Sequence, residues 1–385
     1  IGTPAAGLLS ILFEGRFHFA SVVCVLIALI GFACSLGVKR TPPAGSESRF
    51  TPAFLAEIYR SVMELRRDGY LFLAVLGSTY FMLVGAFIQM NIIPYGLVHL
   101  GLSEEASTQL FLVAAFGIGF GSWLAGRLSG RNIEFGVVPL GALGVTLSSI
   151  LMNVVPGLPV FSVPLISRWI ASPTLLAGAV VLVMGVSGGM FIVPLDAFIQ
   201  FRAPEKSRGK VVATSNFLGF AGVFVSAGIM YFLIEILSLT PGQGFMVIGL
   251  LTLGLTILTF KVLPDFFLRF VGLLLMKLGY RIRVEGAEHV PIEGPALLIC
   301  NHVSWVDAIL LMATQQRRIR FIMYREIYEI PLLRPLFRLM GNFPISWQDP
   351  PRKMLESLRE ARAALDDGWL VCIFAEGQLT RTGNL

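Results

Sequence analysis

Charge is what this sequence has least of. Asp, Glu, Lys and Arg together make up 14% of its 385 residues, against about a quarter in a soluble domain. Hydrophobic residues reach 55%, and the mean hydropathy is +0.76. That balance excludes an ordinary soluble protein and points to a chain that crosses a membrane several times. Cysteine is also scarce. Cys24, Cys34, Cys300 and Cys372 form no CxxC pair or ligand cluster, so neither a disulfide framework nor a metal site is expected. The net charge of +6 does not imply nucleic acid, because the basic residues lie in short loops between apolar runs, where topology explains them. The first residue is not Met, and the first apolar run, Ile1–Phe13, falls short of the roughly 20 residues that span a bilayer. It lacks the basic flank of a signal peptide, and reads as the tail of a span whose beginning is missing.

What the sequence has in excess is long apolar runs. Seven could span, near Phe19–Val38, Tyr70–Ile93, Leu110–Leu128, Phe135–Val155, Pro173–Leu195, Val211–Ile236 and Gly244–Val262. The loops between them alternate in charge. Lys39, Arg40, Arg49, Arg60, Arg66 and Arg67 fill the long loop 39–69, and Arg127, Arg131, then Arg202, Lys206, Arg208 and Lys210 fill later ones. The intervening loops carry Glu104 and Glu105, Arg168 alone, or, at Leu237–Gln243, no charge. Basic loops face the cytoplasm, which places everything after Pro264 on the cytoplasmic side of a multi-pass protein.

Glycine is frequent in the runs, as in "FGIGFGSWLAG" and "GVSGGM". Small residues let membrane helices approach closely, so packing is the simpler explanation. Gln89, Asn91, Asp196 and Glu235 are four polar side chains within or near the runs that could bear on transport. Such groups are costly in a bilayer and mark transport pathways when they are not at its edge. Asp196 either lines a cavity or sits at the interface beside Arg202, and Glu235 lies near an outer end. Gln89 and Asn91 precede Pro94, where a helix break is expected, and are the better candidates for a transport cavity.

Six spans after a long basic loop resemble the back end of a twelve-helix major facilitator transporter, incomplete at its start. The "GRLSGR" stretch, Gly126–Arg131, lies where that superfamily carries a Gly- and Arg-rich loop. "FIVPLDAFIQFRAPEKSRGKVVATSNF", Phe191–Phe217, resembles the bacterial lysophospholipid transporter branch. The resemblance covers roughly Ile1–Val262, within a first domain expected over residues 1–263, and no internal repeat is evident. It implies a bacterial inner-membrane protein with a lysophospholipid as cargo.

The character changes at Pro264. "DFFLRFVGLLLMKLGYRIRVEG" is apolar but carries Arg269, Lys277 and Arg281, and reads as a helix lying in the membrane interface. Beyond it, Ala296–Cys300, Arg320–Met323 and Leu370–Phe374 read as buried strands, and Ala308–Thr314 and Pro351–Leu365 as helices. This is an α/β pattern, so residues 264–385 are a second, cytosolic domain. Asn301-His302-Val303-Ser304-Trp305-Val306-Asp307 and Phe374-Ala375-Glu376-Gly377-Gln378 each follow a strand, and α/β sites form at the carboxyl ends of strands. With Asp307 on one ring nitrogen, His302 can take a proton from a hydroxyl on the other. Alternatively, Ser304 and Asp307 form a capping box and Asp307 is structural. Cys300 ends a buried strand and makes a poor nucleophile, and no Ser or Cys elbow stands elsewhere.

"NHVSWVD" resembles the NHxxxxD block of the glycerolipid acyltransferases, "REIYEIPLLRPLFRLMGNFPIS" their second region, and "FAEGQ" their FPEG block. This resemblance covers about Phe266 to the end. It implies His302 as general base, Asp307 as its orienting partner, and Glu376, Gly377 and Arg325 holding the acceptor. Trp347 stands near the place of one family arginine, and Gln378 and Leu379 follow Gly377 where the family has Thr-Arg. Arg381 is the candidate substitute. Fewer arginines suit a zwitterionic acceptor better than lysophosphatidate. "EGQLTRTGNL" resembles the 2-acylglycerophosphoethanolamine acyltransferases that occur with an acyl-ACP synthetase. The expectation is therefore a lysophospholipid transporter fused to an acyltransferase, incomplete after its third block. It would use lysophosphatidylethanolamine and acyl-ACP or acyl-CoA as co-substrates, with no bound cofactor, and a synthetase domain could follow. Two other readings stay open: a transporter of other cargo with a degenerate acyltransferase, and an acyltransferase whose helices only anchor it.

Overall fold

The computed structural model describes residues 17–38, 53–129, 133–157, 173–262, 264–286, 289–291, 294–315, 317–377 and 379. The chain divides into two compact units, Ile1–Ile133 with Leu140–Ile257, and Glu134–Pro139 with Leu258–Leu385.

The first unit is helical. Its elements are α1 (Phe17–Leu36), α2 (Phe54–Leu65), α3 (Gly69–Leu100), α4 (Glu104–Ser129), α5 (Val137–Val154), α6 (Pro173–Arg202), α7 (Arg208–Tyr231, ending in a π-helical turn, Phe232–Ile236) and α8 (Pro241–Val262). Among the described residues, six stretches are long and apolar enough to cross a membrane, from α3 through α8. The apolar part of α1, Ser21–Leu36, is shorter than these. The loop expected over residues 39–69 contains α2. This amphipathic helix buries Ser61 and Leu65, and Ser61 accepts a 2.9 Å hydrogen bond from the Thr214 hydroxyl on α7.

Helix α3 runs unbroken through Pro94, which corrects the expected break. In a membrane helix the backbone groups that proline disturbs can be re-satisfied by neighbours, and here the turns around Pro94 are held by long-range bonds. Asn91 Nδ2 donates to the Pro241 carbonyl at 2.8 Å, the Tyr95 hydroxyl donates to the Met152 carbonyl at 2.7 Å, and His99 Nε2 accepts from the Gly242 amide at 3.1 Å. The helix is capped at both ends: Asp68 accepts from the Leu71 amide at 3.2 Å, and Gly101 takes the left-handed conformation at φ 62°.

The two glycine-rich stretches meet each other. A Cβ on Gly121 would fall on the Val186 carbonyl, one on Gly117 would lie 2.5 Å from the Leu182 carbonyl, and one on Gly185 would lie 2.5 Å from that of Ala114. Only backbone-to-backbone contact fits between α4 and α6 there. At one end of the bundle, Arg202 Nε pairs with Asp68 at 2.7 Å and Lys210 Nζ with Glu64 at 3.0 Å. Burial works against the Asp68 charge, but the hydrogen bonds from Arg202 and the Leu71 amide outweigh it and hold that carboxyl below its usual range. The other end holds the contacts of Asn91 and His99 with the uncharged α7–α8 connection. Arg202 and Lys210 thus lie at the end of the bundle opposite the uncharged α7–α8 connection.

The second unit holds α9 (Pro264–Gly279), β1 (Ala296–Cys300), α10 (Asp307–Thr314), β2 (Ile319–Tyr324), α11 (Arg325–Tyr328), α12 (Arg334–Leu339), β3 (Phe343–Ile345), α13 (Pro351–Asp366) and β4 (Leu370–Phe374). The 16-residue α9 packs Gly272 against Ile309 of α10 and buries Phe270, with Leu274 and Leu275 exposed. Arg269 of α9 forms a buried 2.5 Å ion pair with Glu134 inside this unit. The strands make one sheet, all parallel, in the order β1-β4-β2-β3. Ile319, Phe321, Leu370 and Cys372 form its core on one face, and Phe343, Ala361, Ala364 and Val371 pack under α13 on the other. Being parallel, all four strands present their carboxyl ends to one edge, which carries the loops beginning at Asn301, Arg325, Ser346 and Ala375.

Candidate functional sites

His302 lies two residues past β1, and its ring stacks on Phe374, the last residue of β4, with centroids 4.1 Å apart and planes at 20°. Register explains the meeting: Cys300 pairs with Phe374 across the β1–β4 ladder. Phe374 stacks in turn on Phe321 of the core. Asp307, the first residue of α10, turns its carboxylate back to the loop. Its Oδ2 lies 3.2 Å from His302 Nδ1 and accepts from the Val303 amide at 2.7 Å and the Ser304 amide at 2.8 Å. Asp307 therefore does both things expected of it as alternatives. It forms the acidic half of a capping box on the Ser304 amide, and it holds the imidazole. The hydroxyl half is different: the Ser304 hydroxyl accepts from the Val306 amide at 3.4 Å.

The two side chains keep 20% and 21% of their surface exposed, so the pair is recessed but reachable. An ionised Asp307 fixes the proton on Nδ1 and leaves the lone pair of Nε2 free to accept one. Val303, Trp305 and Trp347, from the loops at this edge, are exposed apolar side chains at 53%, 68% and 77%.

Glu376 Oε2 accepts the His302 amide hydrogen, and Gly377 closes the turn after β4 at φ 64°. The Glu-Gly block thus fixes the backbone under the histidine. Arg325 departs from expectation. Its Nε lies 2.9 Å from both oxygens of Asp349, and another of its nitrogens donates to the Pro344 carbonyl at 3.1 Å. With 15% of Arg325 and 8% of Asp349 exposed, this is an internal ion pair joining the start of α11 to the loop after β3. Asp349 and Phe374 were missed from sequence. Arg381 lies outside the described residues. Cys300 has its sulfur 3.9 Å from that of buried Cys372, whose thiol burial and the neighbouring Cys300 push up, so Cys372 stays protonated.

The first unit contains a cavity of about 220 Å³. It is lined by apolar side chains, among them Ile88, Ile92, Phe111 and Phe191, and by the polar residues Tyr80, Gln89 and Thr252. The Tyr80 and Thr252 hydroxyls bond each other at 2.9 Å. Of the expected transport residues, Gln89 lines this cavity and the other two do not. Asn91 is fully buried against Pro241, and Asp196 accepts from the Ser78 hydroxyl at 3.1 Å on an exposed face.

The Major Facilitator Superfamily profile matches residues 1–227, more than half of the chain. The chain belongs to the major facilitator superfamily. Its C-terminal part, residues 281–385, matches the Acyltransferase profile, so this major facilitator protein is a fusion. The first part is 25% identical to the lysophospholipid transporter LplT of Serratia proteamaculans, over 56% of this chain and 50% of that protein. It is also 26% identical to the Klebsiella pneumoniae transporter of that name, over 60% and 56%. The second part is 31% identical to the chloroplastic 1-acyl-sn-glycerol-3-phosphate acyltransferase LPAT1 of Arabidopsis thaliana, over 28% of this chain and 30% of that one. It is 34% identical to the 1-acyl-sn-glycerol-3-phosphate acyltransferase of Cocos nucifera, over 29% and 36%. The chain thus spans about half the length of the transporter relatives and about a third of the acyltransferase relatives. No solved structure matches it.

Proposed function

We propose that this major facilitator fusion carries lysophospholipid to the cytoplasmic leaflet and re-esterifies it there. The observation that carries the enzymatic half is the His302–Asp307 pair, 3.2 Å apart at the carboxyl edge of a parallel sheet. His302 Nε2 takes the proton of the free glycerol hydroxyl. The resulting alkoxide oxygen attacks the carbonyl carbon of an acyl thioester, a carbon–oxygen bond forms, the carbon–sulfur bond breaks, and the proton passes from His302 to the leaving thiolate. Glu376 is a positioning residue, holding the His302 amide while Asp307 holds the ring.

The acceptor is lysophosphatidylethanolamine in this reading. Arg325 is already neutralised by Asp349 and offers little net charge to a phosphate. The exposed Val303, Trp305 and Trp347 suit a lipid acceptor. The donor is acyl-ACP or acyl-CoA, supplied by a synthetase acting in series. The position of Arg202 and Lys210 at the end of the bundle opposite the uncharged α7–α8 connection supports a cytoplasmic location for the enzyme. In the membrane unit, the cavity containing Gln89 is the candidate passage.

The deciding experiment follows labelled lysophosphatidylethanolamine into cells expressing the full-length protein or its His302→Ala variant. The reading requires uptake by both and acylation by the wild type alone. Uptake lost together with acylation would mean that acylation merely traps the lipid, and the membrane helices would then be an anchor.

A further inference from the structure

The connection between β2 and β3 leaves the sheet at the edge that carries His302, and its outer surface has an unusual composition. Leu332 is 87% exposed, Leu339 49% and Ile330 40%. An isolated exposed apolar residue needs no explanation, but two leucines and an isoleucine exposed within ten residues are a concentration that does. Arg334 and Arg338 stand among them, four residues apart on one face of α12, both exposed. With Pro335 and Leu339 they line a shallow groove. No Asp or Glu occurs from Ile330 to Gln348. Glu329, next before the patch, lies 3.9 Å from Arg325. Among the described residues no carboxylate forms an ion pair with Arg334 or Arg338.

We propose that Ile330–Leu339 is a docking site for the surface of an anionic phospholipid bilayer, with Arg334 and Arg338 on lipid phosphates and Leu332 and Leu339 in the acyl region. Arginine suits this role because its planar fork binds phosphate oxygens in pairs. An apolar edge with flanking cations is the composition of segments that lie in a membrane interface. The chain's own spans hold it at a membrane, so a weak contact is enough to stay occupied. Docking here would turn the edge that carries His302 toward the leaflet from which a lipid acceptor comes. The proposal rests on the patch and the spans, and stands whether or not His302 is the base.

The test reconstitutes the full-length protein, with a photo-crosslinking amino acid at position 332, in nanodiscs containing tritiated phosphatidylglycerol. Illumination is expected to attach labelled lipid. The Arg334→Gln/Arg338→Gln pair should lower the yield at least about five-fold, a modest demand at roughly five-fold per cation near an anionic surface. The Arg334→Lys/Arg338→Lys pair should restore most of it, which separates lost charge from lost folding. Three results would overturn the proposal. They are no attached lipid, equal yields from phosphatidylcholine-only discs or with the Gln pair, and crosslinking to an added acidic carrier protein in place of lipid.

Discussion

Arg325 and Asp349 are joined by a nitrogen that lies 2.9 Å from both carboxylate oxygens, with 15% and 8% of the two side chains exposed. The pair clamps two of the loops that form the edge around His302. Asp349 also accepts from the Ser346 amide at 2.9 Å, and Glu329 and Lys353 lie 3.9 Å from Arg325 and Asp349 respectively, too far to take over the short pair, so removing either partner leaves a recessed charge poorly compensated. We expect Arg325→Gln and Asp349→Asn each to cost roughly 3 kcal/mol, and the double variant little more, because both singles break one interaction. Melting of the full-length protein in detergent measures this. A ten-fold rise in KM for lysophospholipid at unchanged melting temperature in Arg325→Gln would show instead that the guanidinium binds substrate.

The backbone contact of α4 with α6 makes a sharp contrast between neighbouring glycines. A Cβ at Gly121 collides with the Val186 carbonyl, whereas nothing lies within 4 Å of one at Gly119. Gly121→Val should cost about 3 kcal/mol or more, since backbone must move to admit it, and Gly119→Val very little. Equal yields of folded protein from both would mean that the two helices are not packed as described.

The two ends of the bundle differ in charge, and that fixes an expectation about topology. Ser207 lies between Arg202 and Lys210, and Ser238 lies in the uncharged α7–α8 turn. With Cys24 and Cys34 replaced, a cysteine at Ser238 should react with a membrane-impermeant maleimide in intact cells. One at Ser207 should react only after lysis. The reverse pattern would invert the topology.

How much of this was legible beforehand depended on distance along the chain. His302 and Asp307 are five residues apart, so one turn brings them together, and the sequence around them showed both a strand before and a helix after. The six long membrane helices were legible because apolar runs of that length have few other fates. Strand β3 was missed: it has three residues with Pro344 in the middle, and proline is tolerated there because β3 lies at the sheet edge. Asp349 looked like any loop carboxylate until the β2–β3 pairing set it beside Arg325. Phe374 looked like the end of a buried strand, and only the insertion of β4 beside β1 places it under the imidazole. Asn91 was read as a cavity residue because its partner, the Pro241 carbonyl, is 150 positions away.

Asp307 makes the last and sharpest case, because one oxygen serves two purposes. Its Oδ2 accepts from the Val303 and Ser304 amides and holds His302 Nδ1. An Asn at this place keeps an oxygen for the amides, so the turn survives, but it loses the negative charge that stabilises a protonated imidazole. Asp307→Asn should therefore lower kcat by about 10²–10⁴-fold, the range that His302→Ala should also show, while costing no more than about 1 kcal/mol of stability. Asp307→Ala should lose both activity and the turn. Glu376→Gln keeps an acceptor for the His302 amide, so its loss should be smaller than that of Asp307→Asn. Acyl transfer from a thioester to lysophosphatidylethanolamine by the full-length protein, beside its melting temperature, separates these outcomes. Near-normal turnover of Asp307→Asn with a lowered melting temperature would reduce Asp307 to a helix cap and leave His302 without its partner.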